Sequence, residues 1–144
     1  MARLKLELPE QFLFSTDILV HITDINYGGH LGNDRLLSLI HEARLRFLSH
    51  YGFSEIDCGG VGIIMGDVAI VFKAQVFYGM TLKIFVCADE FQPFGCDLYY
   101  KILDIGTGKE VARAKTGIIF YDYQKKKLAK MPEQFIEKLR KTDR

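Results

Sequence analysis

Apolar and β-branched residues dominate positions 11–22, the pattern of an extended strand. That pattern breaks into a polar, glycine-rich turn and resumes with a different period. Leu36, Leu37, Ile40, Ala43, Phe47, Leu48 and Tyr51 recur at helical spacing, which predicts one long helix with a single buried face. Asn33 or Asp34 suits its cap and Gly52 its stop. After a second glycine-rich stretch, residues 63–72, 81–90, 96–104 and 110–123 are rich in Val, Ile, Phe and Tyr and read as strands. The breaks between them carry turn chemistry: Tyr78-Gly79, Gln92-Pro93-Phe94-Gly95 and Gly106-Thr107-Gly108. Breaks this short join antiparallel neighbours, because a parallel crossover needs a dozen or more residues. The predicted order is strand, helix, four strands, then a short terminal turn or helix over residues 132–139.

This is an α+β pattern, one long helix against an antiparallel sheet of about five strands. The helix covers one face of the sheet and leaves the other partly open. Apolar residues on both parities of residues 63–72 predict that more than one face is covered there. Open sheet edges invite a second copy, so a homo-oligomer is expected, most economically a two-fold dimer joined edge to edge.

A length of 144 residues fits a single domain over residues 1–144. The net charge of +1 gives no overall field to draw nucleic acid or an anionic membrane. The C-terminal cations Lys125, Lys126, Lys127, Lys130, Lys138, Arg140, Lys141 and Arg144 read as solvated surface. Cys58, Cys87 and Cys96 lack the spacing of a zinc site or a disulfide framework, so no metal is expected. Charges at Arg3, Lys5, Glu7 and Glu10 interrupt the first residues, which argues against a signal peptide or membrane span and for a cytoplasmic protein.

The chemistry concentrates in residues 22–47, where the glycine-rich turn runs directly into the helix. Such a junction gathers free backbone N–H groups and the positive end of a helix dipole. If the turn begins extended, Asp24 and Asn26 face the same side. Gly28, Gly29 and Gly32 permit close approach of a ligand to the main chain, whose N–H groups then form an oxyanion site. His30 offers a donor or a base, and Asp24 can hold a water or its proton. Asp24, Asn26 and His30 are thus the candidate catalytic residues, and Tyr27, Gly28, Gly29 and Asn33 the candidate substrate-binding ones. These parts suit acyl transfer to water. A thioester fits better than an amide, since a thiol of pKa about 8.5 leaves without strong protonation. Neither a G-x-S-x-G elbow nor a G-K-[ST] phosphate loop is present.

Each residue also has a structural reading. Asn26 suits an Asx-turn, Asp24 a strand end accepting turn N–H groups, and His30 a tie between loop and helix. Glu42 stands four residues before Arg46 and suits a surface ion pair. Arg44, inside the apolar arc, and Asp67, inside an apolar strand, each need a partner or an interface. His21, His41 and His50 read as structural or exposed.

Taken together, the acidic turn over residues 24–28, Gly29-His30-Leu31-Gly32-Asn33 and Glu42-Ala43-Arg44 resemble the signature of the 4-hydroxybenzoyl-CoA thioesterase branch of the hotdog-fold superfamily. The segments AIVFKAQVFYGMTL and EVARAKTGIIFYDYQKKKLAKMPEQF resemble that family's later strands and terminal proline segment, so the likeness runs over residues 12–135. It implies a hotdog fold, a homodimer or homotetramer, and a site at the subunit interface near the helix start. It further implies an acyl-CoA or related acyl thioester substrate, with no cofactor beyond the coenzyme A of the substrate.

The chain departs from that family in two places. The family's catalytic aspartate position, four residues before the histidine, is Asn26. Either Asp24 takes the acidic role, or Asn26 orients water while Asp34 or Glu42 acts from the helix, or hydrolysis has been lost. The turn over residues 92–95 lacks the cations some members place there, leaving Lys73, Arg113, Lys115 or the C-terminal lysines for coenzyme A phosphates. The leading expectation is an acyl-CoA thioesterase. The alternatives are a non-catalytic acyl-thioester binding protein and an enoyl-thioester hydratase, whose D-x-N-x-x-H motif has its histidine one residue nearer.

Overall fold

The structure is a computed structural model that describes residues 3–140; the cations Lys141 and Arg144 lie outside the described residues. Strand β1 (Phe14–Leu19) is followed by helix α1 (Asn33–His50), then β2 (Gly62–Phe72), β3 (Thr81–Gln92), β4 (Gly95–Asp104), β5 (Glu110–Asp122), β6 (Lys127–Leu128) and a short helix α2 (Glu133–Leu139). All pairings are antiparallel, in the spatial order β1-β3-β4-β5-β2, with β6 against the end of β5.

The α1 stripe of Leu36, Ile40, Ala43, Phe47 and Leu48 is buried, as its spacing requires, in the core that includes Leu82, Ile84, Leu98, Tyr100, Ala114 and Phe120 of the sheet. Each large side chain so buried contributes about 1.5–3 kcal/mol. Leu39 is buried and Leu37 only half-buried, so the buried arc is wider than one row of the helix. Gly52, with φ +84°, ends the helix as its position predicts. Phe135 of α2 plugs one end of the core, its ring meeting Phe120 at 5.0 Å and Phe53 at 5.5 Å.

The opposite face of the sheet is crossed by the N-terminal segment. Strand alternation puts Arg113 and Phe85 on that face, opposite to Ala112 and Ile84. Arg113 Nη1 donates to the Leu6 carbonyl at 2.8 Å, and Phe12 packs against Phe85 with ring centroids 6.0 Å apart. The segment is thus a strap across β5 and β3.

Three expectations are corrected. The first strand ends at Leu19 rather than at residue 22, because the chain curls into a 3-10 turn, Ile22–Asp24. The sheet gains a sixth, two-residue strand. The covering predicted for both faces of residues 63–72 is absent in the protomer: β2 is an edge strand, and Ile64, Met65, Val68 and Phe72 are 38–43% exposed. Asp67 beside its bulge does have a partner, Lys115 Nζ at 2.9 Å, but on the surface.

Candidate active site

Between β1 and α1 the chain reverses twice. In the 3-10 turn, the Asp24 N–H donates to the His21 carbonyl and the His21 N–H to Asp24 Oδ2, both at 2.9 Å. This reciprocal box turns Asp24 inward, where only 6% of it is exposed, and sets its other oxygen 3.5 Å from Arg35 Nε. The second reversal closes on itself. The Asn26 N–H donates to the His30 carbonyl at 2.9 Å, the Gly29 N–H to the Asn26 carbonyl at 3.0 Å, and the Gly28 N–H to Asn26 Oδ1 at 2.9 Å. Gly29 adopts φ +86°, open to glycine at little strain. The loop is anchored by Leu31 N–H to the Val76 carbonyl at 2.7 Å and Gly32 N–H to the Asp24 carbonyl at 3.1 Å.

This geometry redistributes the expected roles. Asp24 and Asn26 are parted: Asp24 is buried against Arg35, whereas Asn26 is exposed and folds back onto its own loop. Asn26 closes an Asx-turn, and the Gly28 and Gly29 N–H groups are consumed within it. The donors that remain are those of α1, whose N-cap is Gly32; neither Asn33 nor Asp34 caps it, and no side chain bonds its first turn. Tyr27 stands fully exposed at the loop tip.

Beside the helix start lies a cavity of about 280 Å³ lined by His30, Leu31, Asn33, Leu36, residues 72–76, Val111 and Ala112. His30 and Asn33 therefore line one cavity, while Asp24, Asn26, Tyr27, Gly28 and Gly29 lie outside its lining. His30 Nδ1 is 3.3 Å from the Leu31 carbonyl, so a proton there leaves Nε2 free to accept one. Lys73, at the rim, is the one cation of those proposed for phosphates that borders this cavity, with Glu110 3.8 Å from its Nζ. Arg113 is held by Glu110 and Leu6, and Lys115 by Asp67 and Asp97.

The remaining polar residues have structural partners. Glu42 pairs with Arg46 at 2.9 Å on the surface. Arg44 Nε donates to Glu55 Oε2 at 2.7 Å, and His41 meets the other Glu55 oxygen at 3.1 Å. Burial pushes the Cys58 and Cys87 thiols up to about 12 and the Cys96 thiol higher still, which keeps all three protonated and poor nucleophiles.

A helix laid across an antiparallel sheet, with an apolar cavity and two polar side chains at the helix start, fits the sequence profile that residues 20–139 match. The chain belongs to the thioesterase-like superfamily. Among solved structures it shares the fold of a 1,4-dihydroxy-2-naphthoyl-CoA thioesterase from Synechocystis, at 21% identity and TM-score 0.81 over 91% of this chain and 98% of that one. A DHNA-CoA thioesterase from Staphylococcus aureus is similar at 19% identity and TM-score 0.75, covering 85% of this chain and 83% of its own. A gentisyl-coenzyme A thioesterase is similar at 17% identity and TM-score 0.75, over 84% and 98%. Among curated proteins none matches. The hotdog architecture implied by the resemblance is thereby borne out, and membership of the thioesterase-like superfamily agrees with the thioesterase class it implied. No described helix is long and apolar enough to cross a membrane.

Sequence reasoning missed the cavity wall formed by residues 72–76, Val111 and Ala112. Nothing local marks these residues; only the register that sets Phe72 against Ala112 brings the two segments together.

Proposed function

We propose that the protein hydrolyses acyl thioesters of coenzyme A, with the acyl group in the cavity beside the start of α1. The observation that carries this reading is that His30 and Asn33 both line that largely apolar cavity beside the helix start. The thioester carbonyl lies toward the first-turn N–H groups of α1, where its developing negative charge is stabilised. His30 Nε2 takes a proton from water as the water oxygen bonds to the carbonyl carbon. The carbon–sulfur bond then breaks, and the departing thiolate receives that proton. Asn33 orients substrate or water. Asp24 positions Arg35 and the turn, and Asn26 holds the loop closed around Gly28. Lys73 is the cation placed to meet a coenzyme A phosphate. The scheme draws on no metal or redox cofactor.

The assembly we propose is a dimer through β2, whose exposed Ile64, Met65, Val68 and Phe72 and unpaired edge suit a second copy of the same strand. Phe72 belongs both to that edge and to the cavity wall, so the partner stands beside the site. Three free, buried cysteines suit a reducing compartment such as the cytoplasm.

The test is thiol release from a panel of acyl-CoAs by the parent, His30→Ala and Asn26→Asp. Turnover in the parent that falls about 10²–10⁴-fold in His30→Ala supports the assignment. One observation favours a second reading, acyl-thioester binding without turnover: among the described residues no carboxylate lines the cavity. A silent parent that gains turnover in Asn26→Asp establishes that reading instead.

A further inference from the structure

The walls of the cavity distinguish among acyl groups. Leu31, Leu36, Val76, Val111 and Ala112 are each at most 8% exposed, and none carries a side-chain donor or acceptor. Two backbone carbonyls along this wall are also occupied. Val76 O accepts the Leu31 N–H at 2.7 Å, and Val111 O accepts those of Lys73 and Ala74 at 2.8 and 3.1 Å. Polar side chains stand only among His30, Asn33, Lys73 and Gln75, where the thioester itself and the coenzyme A arm have to lie. From these observations, and resting on the thioesterase reading above, we infer that the acyl substrate is an unsubstituted aliphatic chain of medium length rather than a hydroxylated aromatic ring.

Size alone does not decide the matter. An apolar cavity of about 150 Å³ accommodates the six carbons of benzene, so about 280 Å³ holds roughly ten carbons, whether a decanoyl chain or a bicyclic ring. Polarity decides it. A ring hydroxyl carried against these side chains exchanges its water for groups that neither donate nor accept, which lowers affinity by about tenfold or more per hydroxyl. An alkyl chain has nothing to leave unpaired, and each methylene it buries adds favourably up to the capacity of the cavity. The three named neighbours act on dihydroxylated aryl thioesters; the fold they share with this chain does not carry their wall chemistry with it.

Two measurements on the full-length protein test the inference. The first compares kcat/KM for butyryl-, octanoyl-, decanoyl- and palmitoyl-CoA with those for 1,4-dihydroxy-2-naphthoyl-CoA and gentisyl-CoA. Octanoyl- or decanoyl-CoA is expected to exceed both aromatic substrates by about a hundredfold, two hydroxyls at about tenfold each. Ala74→Leu, a half-buried wall position, fills the space of about three carbons and is expected to lower the decanoyl-to-butyryl ratio about tenfold or more. Equal or faster hydrolysis of either aromatic substrate overturns the inference and leaves the thioesterase reading intact, as does an unchanged length profile in a folded Ala74→Leu. The second measurement is calorimetric binding of S-octyl-CoA, a non-hydrolysable thioether, against coenzyme A alone. A gain of about tenfold or more supports an alkyl site even without turnover, whereas no gain overturns it. Failure of every acyl-CoA to release thiol removes the hydrolytic reading, and the binding comparison then tests the alkyl site by itself.

Discussion

Removing the charge of Glu55 should destabilise the fold more than removing Arg44 altogether. The Arg44 side chain is 7% exposed, and its Nε donates to Glu55 Oε2 at 2.7 Å, while its Nη1 is buried without a hydrogen-bond partner. Breaking a buried ion pair by deleting one partner costs about 3–5 kcal/mol, because the other charge stays behind uncompensated. Here Glu55 keeps 29% exposure and a glutamine retains an acceptor, so Glu55→Gln is expected to cost about 2–3 kcal/mol. Arg44→Met removes the more buried charge with its orphaned nitrogen and fills similar volume, and the Glu55 carboxylate it leaves keeps solvent contact and His41 at 3.1 Å, so it should stay within about 1 kcal/mol of the parent. Urea unfolding at pH 7 measures both. The pH dependence supplies a second check. Burial opposes the charged form of Glu55, but hydrogen bonds from Arg44 and His41 and their charges outweigh it and hold its pKa below the ordinary 4.5. A depressed folded pKa means the stabilisation is fully present above about 4.5 and is lost as pH falls through the folded value. Glu55→Gln should therefore flatten the loss of stability below pH 4.5, and its deficit relative to the parent should shrink there. An Arg44→Met variant as unstable as Glu55→Gln at pH 7 would refute the reasoning, since the pair would then be favourable in its own right.

Three further outcomes are expected. Gly95→Ala should prevent native folding or cost about 3 kcal/mol, because a Cβ there would overlap the Ile118 carbonyl of the paired strand; the loss of native circular dichroism or urea midpoint reports it. Phe135→Ala should cost about 3–5 kcal/mol in urea unfolding, since the ring is fully buried against Phe53 and Phe120. All three cysteines should resist a thiol-specific disulfide reagent in the native protein and react together in denaturant, because each is buried and held protonated at neutral pH; rapid native labelling of any one would contradict its burial.

Most of the element order was legible because its periods are long and clean: the α1 stripe from Leu36 to Leu48 and the strands joined by glycine turns both emerge where expected. What escaped notice follows from tertiary contacts or from local competition. The apolar run after Leu19 has strand composition, but His21 and Asp24 cap each other and curl the chain; an acid three residues after a polar residue was the available signal. The paired apolar parities of β2 appear as exposure, because β2 is the edge strand of the sheet. The strap has no periodicity, and its place depends on Arg113, a hundred residues away. At the site, the turn and His30 were legible, whereas the consumption of the Gly28 and Gly29 N–H groups follows from a backbone geometry that residue types alone do not specify.

The cavity wall is assembled from three stretches far apart in the chain, around residues 30–36, 72–76 and 111–112. The β3, β4 and β5 hairpins close through short turns, so they are early and inexpensive in loop entropy. Strand β2 joins β5 across the whole meander, and only that event sets Phe72 beside Ala112. The cavity is consequently among the last features to mature as the chain folds, and the first to disappear when its outermost strand peels away. A ligand in the cavity would bridge the early and the late parts of the molecule, and would slow the release of β2 ahead of any change in the rest of the sheet.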